Sequence, residues 1–147
     1  MCVFNIEKLS KEQVYNILNK FDDNFNPQFS LDVDFEEYSS KLSNNAFFAI
    51  CKVGEDIAGV VAFYLNSDLF QIYIPYVCVD TKYRKRGIAY QLICLIKERY
   101  GLNFRFIALE VDKINVQAKS LYERLGFSVL EDRGRKWYMK VNLKSHE

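Results

Sequence analysis

Arg84-Lys85-Arg86-Gly87-Ile88-Ala89 sets three consecutive cations and one glycine just ahead of a run whose apolar residues recur at helical spacing. Glycine lets a backbone approach a ligand closely and turn successive N–H groups toward one point. A helix N-terminus adds positive potential there, so the segment reads as a cradle for an anion, with a pyrophosphate as its natural guest. Lys82, Arg84, Lys85 and Arg86 would surround that guest with mobile charge. A solvated basic turn has the same composition, and short glycine motifs recur by chance. Two other phosphate loops do not fit. No glycine stands five residues before a Gly-Lys-Ser/Thr, and a dinucleotide fingerprint needs three glycines where this loop has one.

A second set of candidates follows downstream. Glu110 reads as the end of a strand whose same-side neighbours by alternation are Phe104, Phe106 and Ala108, which would suit it to act as a base. A surface carboxylate at a strand end would look the same. Asp80, at the end of an earlier strand, is the reserve base or simply a turn residue. Asn115 begins a final helix, where an asparagine is an ordinary N-cap. Tyr122 lies two helical turns on, on the same side as Asn115, and also fits the apolar stripe of that helix. Cys78 suggests a covalent acyl-cysteine, but the single histidine is His146 in the terminal "KSHE", so no partner activates the thiol. For the same reason neither a histidine triad nor a histidine-rich metal site is expected.

These residues need elements to place them. "CVFNIEKL" reads as a strand, and Ser10 with Gln13 makes a capping box ahead of Val14, Ile17, Leu18 and Phe21. Residues 22–43 are polar, carry Pro27, and show a weaker helical pattern around Phe35, Tyr38 and Leu42, so they are a candidate mobile lid. "AFFAICKV" and "IAGVVAFYL" form a hairpin around "GED". "LFQIYIPYVCVD" is a long strand with Pro75 inside it, and since proline cannot donate to a ladder, pairing with one neighbour should fail there. Ile88, Leu92, Leu95 and Ile96 stripe the next helix, with Gly101 as its C-cap. "FRFIALEV" is another strand. Ala118, Leu121, Tyr122 and Leu125 stripe the last helix, ended by Gly126, and "FSVLED" with "KWYMKVNL" closes the chain as a hairpin around "RGR".

The 147 residues suit one domain, 1–147, and half of them are hydrophobic, enough for a packed core. A net charge of +1 offers a polyanion little attraction, so nucleic-acid binding is not expected. Cys2, Cys51, Cys78 and Cys94 are widely spaced, which reads as free thiols in a reducing cytoplasm. Neither a signal peptide nor an apolar run of about 20 residues is present, so no membrane partner is expected.

Two blocks carry a family resemblance. Arg84-Lys85-Arg86-Gly87-Ile88-Ala89 is similar to the acetyl-coenzyme A signature Arg/Gln-x-x-Gly-x-Gly/Ala of the GNAT (GCN5-related) N-acetyltransferases, and "EVDKINVQAKSLYERLGF" resembles the family's Glu-x-x-x-x-Asn-x-x-Ala-x-x-x-Tyr-x-x-x-Gly-Phe. The resemblance runs from about residue 73 to 127; before that only the order of strands and helices matches. It implies a single α/β domain with a mixed, mostly antiparallel sheet of about seven strands, splayed fourth and fifth strands, and about four helices. It implies acetyl-CoA as cosubstrate, without a metal. The pyrophosphate would rest on backbone N–H groups from about Lys85 through Arg86, Gly87 and Ile88 to Ala89, with Arg84 and Tyr90 also binding the coenzyme. Val77, Cys78 and Val79 would pair with the pantetheine arm, which Asn115 also contacts. Glu110 would be the base and Tyr122 would face the sulfur, as proton donor or hydrogen-bond partner. The acceptor would be a small amine, an amino sugar or a protein amine, and the protein a monomer or homodimer. A noncatalytic acetyl-CoA-sensing or interaction module on the same scaffold is the alternative. Tyr73 and Tyr76 of "YIPY", with Arg133, Arg135 and Lys136, could line an acceptor site, or be structural aromatics and a solvated hairpin tip.

Overall fold

The computed structural model describes residues 2–25 and 28–143, so Pro27 and His146 lie outside the described residues. The strands are β1 (Cys2–Glu7), β2 (Phe47–Val53), β3 (Asp56–Asn66), β4 (Gln71–Val79), β5 (Phe106–Asp112), β6 (Ser128–Arg133) and β7 (Lys136–Asn142). The helices are α1 (Lys11–Phe21), α2 (Phe35–Asn45), α3 (Ile88–Tyr100) and α4 (Val116–Arg124). Strand order is β1-β2-β3-β4-β5-β7-β6, a mixed sheet in which β4 and β5 run parallel. Described residues up to Phe63 with Tyr76–Ile93 form one compact unit, and Tyr64–Pro75 with those from Cys94 onward form a second.

In the first unit the capping box closes as its spacing predicts. Gln13 N donates to Ser10 Oγ at 3.2 Å and Ser10 N to Gln13 Oε1 at 2.9 Å, and α1 buries Val14, Ile17, Leu18 and Phe21. Within the segment read as a candidate lid, the described residues make local bonds and a helix. Asp22 accepts from Ser30 N at 3.0 Å and from Ser30 Oγ at 2.6 Å, and Asp34 caps α2 through Glu36 N at 3.0 Å. Phe29 packs against Phe25, Phe35, Tyr38 and Tyr76 with ring centroids 5.5 to 6.2 Å apart, so aromatic burial anchors the segment.

β1 and β2 correct the reading of the cysteines. Their antiparallel register sets Cys2 opposite Val53 and Phe4 opposite Cys51, so the two cysteines are diagonal neighbours on one face. With Cα atoms 6.0 Å apart they form a disulfide, leaving Cys78 and Cys94 free. The reading of all four cysteines as free thiols is therefore corrected for Cys2 and Cys51.

In β3 the register against β2 slips, with Cys51 opposite Gly59 but Lys52 opposite Ile57, so Ala58 is bulged out of the pairing. Its carbonyl accepts from Asp80 N at 2.8 Å, fixing the exit of β4. α3 begins on Ile88 and buries Ile88, Leu92, Ile93 and Ile96; Leu95, expected in the stripe, is half-buried and Ile93 takes its place.

In the second unit β4 pairs with β5 from Gln71 opposite Phe106 to Ile74 opposite Leu109, and the register ends there. Pro75 is the next residue, and its missing N–H accounts for the end of the ladder. β5 pairs along its whole length with β7, and β6 with β7 around a turn at Gly134, φ +79°. Gly126 ends α4 in the left-handed region, φ +96°, with Phe127 N donating back to Tyr122 O at 2.9 Å.

Candidate active site

In the first unit the chain leaves β4 through a tight series of local bonds. Asp80 accepts from Lys82 N at 3.0 Å, capping a 3-10 turn at Thr81–Tyr83, and Nε of Arg84 donates to the Val79 carbonyl at 3.3 Å. Lys85 (φ +65°) and Gly87 (φ +73°) then flank Arg86 in left-handed conformations. For a lysine that conformation costs about 1–2 kcal/mol, a strain that gathers at ligand sites. The alternation turns successive N–H groups to one side, an anion-binding concavity. The first helical bond of α3 runs from Gln91 N to Gly87 O at 2.9 Å, so the helix itself does not use the N–H groups of Ile88, Ala89 and Tyr90. A Cβ on Gly87 would have its nearest neighbour, Gln91 Nε2, 4.0 Å away, so that face of the loop is open. A pyrophosphate fits this donor set.

The cations divide. Lys82 is committed to Asp56 at 3.2 Å, beside Lys20 at 2.8 Å and the Tyr83 hydroxyl at 3.1 Å. Those partners hold the Asp56 carboxyl down at about 2, with the Lys20 hydrogen bond the largest cause. Arg86 lies over the Tyr83 ring at 5.4 Å, and Lys85 carries no ion pair among the described residues. The mobile charge expected from four side chains is thus mainly that of Lys85 and Arg86. Asp80, the reserve base, caps its turn and faces Lys20 at 3.8 Å, so it is a turn residue. Along β4, Val77 and Val79 share the half-buried face while Cys78 is buried on the other. Burial pushes the Cys78 thiol up to about 11, against the opposing hydrogen bond from Asn24 at 3.7 Å, and keeps it protonated and unreactive.

Glu110, Asn115 and Tyr122 all belong to the second unit. Glu110 does not end its strand; β5 continues to Asp112. Nor does it stand on a purely apolar face. Its Oε2 accepts from Arg133 Nη1 at 3.0 Å, Nε of the same guanidinium donates to Glu131 Oε1 at 3.1 Å, and the group stacks 3.9 Å from the Tyr138 ring centroid. Phe106 is half-buried and Phe104 precedes the strand, so the alternation brings Glu110 only Ala108 as a buried same-side neighbour. Tyr73 sits opposite Ala108, and burial, with the Glu110 charge second, pushes its hydroxyl up to about 12. Asn115 is the N-cap of α4, accepting from Ala118 N at 3.1 Å, with its amide NH2 exposed. Tyr122 is buried, its ring 5.8 Å from that of Phe127, and burial raises its hydroxyl well above the ordinary tyrosine value.

Residues 11–127 match the family model described as the acetyltransferase (GNAT) family. The chain belongs to the GNAT acetyltransferases. Solved structures carry the same fold at low identity. PaiA N-acetyltransferase from Thermoplasma acidophilum, solved with coenzyme A, is 15% identical with a TM-score of 0.75, covering 95% of this chain and 99% of that one. The ribosomal-protein-S18-alanine N-acetyltransferase from Escherichia coli is 17% identical with a TM-score of 0.73, covering 96% and 94%. Arabidopsis thaliana NAA60, in complex with a bisubstrate analogue, is 16% identical with a TM-score of 0.72, covering 97% and 99%. No curated protein matches the sequence.

Two features of this GNAT chain escape a reading of the sequence. Arg133 meets Glu110 across 23 residues, a pairing set by the β5–β7–β6 register rather than by spacing. Gly59 did leave a signal, as an isolated glycine in an apolar strand. A Cβ there would lie 2.7 Å from Ile88 Cγ2, so Gly59 is what lets the start of α3 lie close on β3.

Proposed function

We propose that the chain, with residues 1–147 working as one domain, transfers an acetyl group from acetyl-CoA to an amine by direct attack while both are bound. The observation that carries this reading is the Arg84–Ala89 loop, with left-handed Lys85 and Gly87 delivering unused N–H groups at the start of α3. Bound coenzyme A in PaiA and the bisubstrate analogue in NAA60 support it.

Acetyl-CoA, when bound, supplies an activated acetyl thioester. The loop from Lys85 to Tyr90 holds the pyrophosphate, Arg84 lies beside it, and the backbone of Val77, Cys78 and Val79 with the Asn115 amide orients the pantetheine arm. Glu110 accepts the amine proton through Oε1, the oxygen that Arg133 does not occupy. Tyr122 keeps its proton, because burial raises its pKa, and so acts toward the sulfur as a hydrogen-bond donor rather than as an acid. Substituting Gly87→Val tests the cradle, since a β-branched side chain is strained at φ +73° and would obstruct the open face. Calorimetric titration of acetyl-CoA should show affinity lower by at least about tenfold, a difference of ~1.4 kcal/mol, in a variant that still folds but melts several degrees lower because of the strain. Equal affinity in folded Gly87→Val would remove the loop from the site.

A further inference from the structure

We propose that Arg133 reads an anionic group on the acceptor, and that the acceptor is a small amine with a carboxylate one or two carbons from its nitrogen. The inference rests on Glu110 being the base in the reading above. Arginine offers five donors in a rigid plane, and a carboxylate fits the parallel N–H pair of its Nε and Nη2 edge. Glu110 occupies Nη1 at 3.0 Å, on another edge. Nη2 has no partner among the described residues, and Nε holds only Glu131, which is two positions away on β6 and 56% exposed. The Arg133 side chain is 38% exposed and its guanidinium stacks on Tyr138 at 3.9 Å, so it is both reachable and held in orientation.

An incoming carboxylate can therefore displace Glu131 and take the Nε/Nη2 edge while Glu110 stays in place. The substrate nitrogen is then held next to Glu110, because anchor and base are adjacent groups. That span suits an amino and a carboxyl group on the same or neighbouring carbons. A polypeptide amino terminus carries an amide at that position and forfeits the charge-assisted pair.

The test is a matched set of ligands, neutral L-amino acids and the corresponding amino-acid amides, titrated calorimetrically into the full chain with excess coenzyme A. At least one acid should bind wild type about tenfold or more tightly than its amide, and Arg133→Gln should reduce that ratio to near one. Equal binding of acid and amide by wild type, a ratio that survives in Arg133→Gln, or no binding of any acid overturns the proposal. Turnover of acetyl-CoA with the same acids is read separately. Acids that bind through Arg133 but are never acetylated overturn the amino-acid acceptor, whereas turnover of other amines with no acid binding leaves the acetyl-transfer reading standing and overturns Arg133 as the anion reader.

Discussion

Tyr122 lies buried in α4 with its ring 5.8 Å from that of Phe127. Its place in the apolar stripe reads as core, where the structure puts it, while its site role comes only from the family resemblance. What spacing could not give is the consequence of burial, which holds the hydroxyl neutral at any working pH and leaves it a donor. Tyr122→Phe retains the ring and its contact with Phe127, so the melting temperature and the affinity for acetyl-CoA should be preserved. Its kcat should fall by about 10²–10³-fold, the range expected for removing one donor from developing charge. Steady-state kinetics beside a thermal melt decide it; wild-type kcat in a folded variant would leave Tyr122 as packing alone. Glu110 was legible as a candidate and its environment was not, because the ion pair with Arg133 depends on two strand registers that no local pattern encodes.

At the scale of elements, Asp56 is a junction that a turn reading of "GED" conceals. One carboxylate ties Lys20 of α1 and Lys82 and Tyr83 of the 3-10 turn to the first residue of β3. Because those partners lower the Asp56 pKa from 3.8 to about 2, the folded form binds a proton less readily than the unfolded chain. The stabilisation is therefore complete above about pH 4 and lost as pH falls toward 2. Asp56→Asn should lower the melting temperature by a few degrees at pH 7 and show a flatter decline between pH 4 and 2. Melting curves across that range check it, and parallel declines in the two proteins would show that Asp56 contributes no such linkage. Most other elements were legible. Capping chemistry placed α1, glycine turns placed both hairpins, and Pro75 foretold where the β4–β5 ladder stops. The helical pattern around Phe35, Tyr38 and Leu42 was legible as α2, but polar composition says little about five aromatic rings that meet only in three dimensions.

For the whole molecule, the succession of strands and helices along the chain was readable from local patterns, while the mixed sheet of about seven strands came only from the family resemblance carried by the two motif blocks. Long-range register was not, which is why the Cys2–Cys51 disulfide was invisible in cysteines 49 residues apart. The central claim, acetyl transfer to an amine with Glu110 as base, concerns the assembled protein. Primary amines are largely protonated at neutral pH and must lose that proton to attack, so a positioned base matters most there. The direct measurement is the pH profile of acetyl-CoA turnover for wild type and Glu110→Gln, with saturating coenzyme, a good amine acceptor and the acetylated product identified by mass. The variant should be slower by about 10²–10⁴ at pH 7 and recover part of that loss at high pH, where the amine deprotonates unaided. Two parallel profiles of equal height, or no acetylated amine from wild type across a broad acceptor panel, would contradict the account.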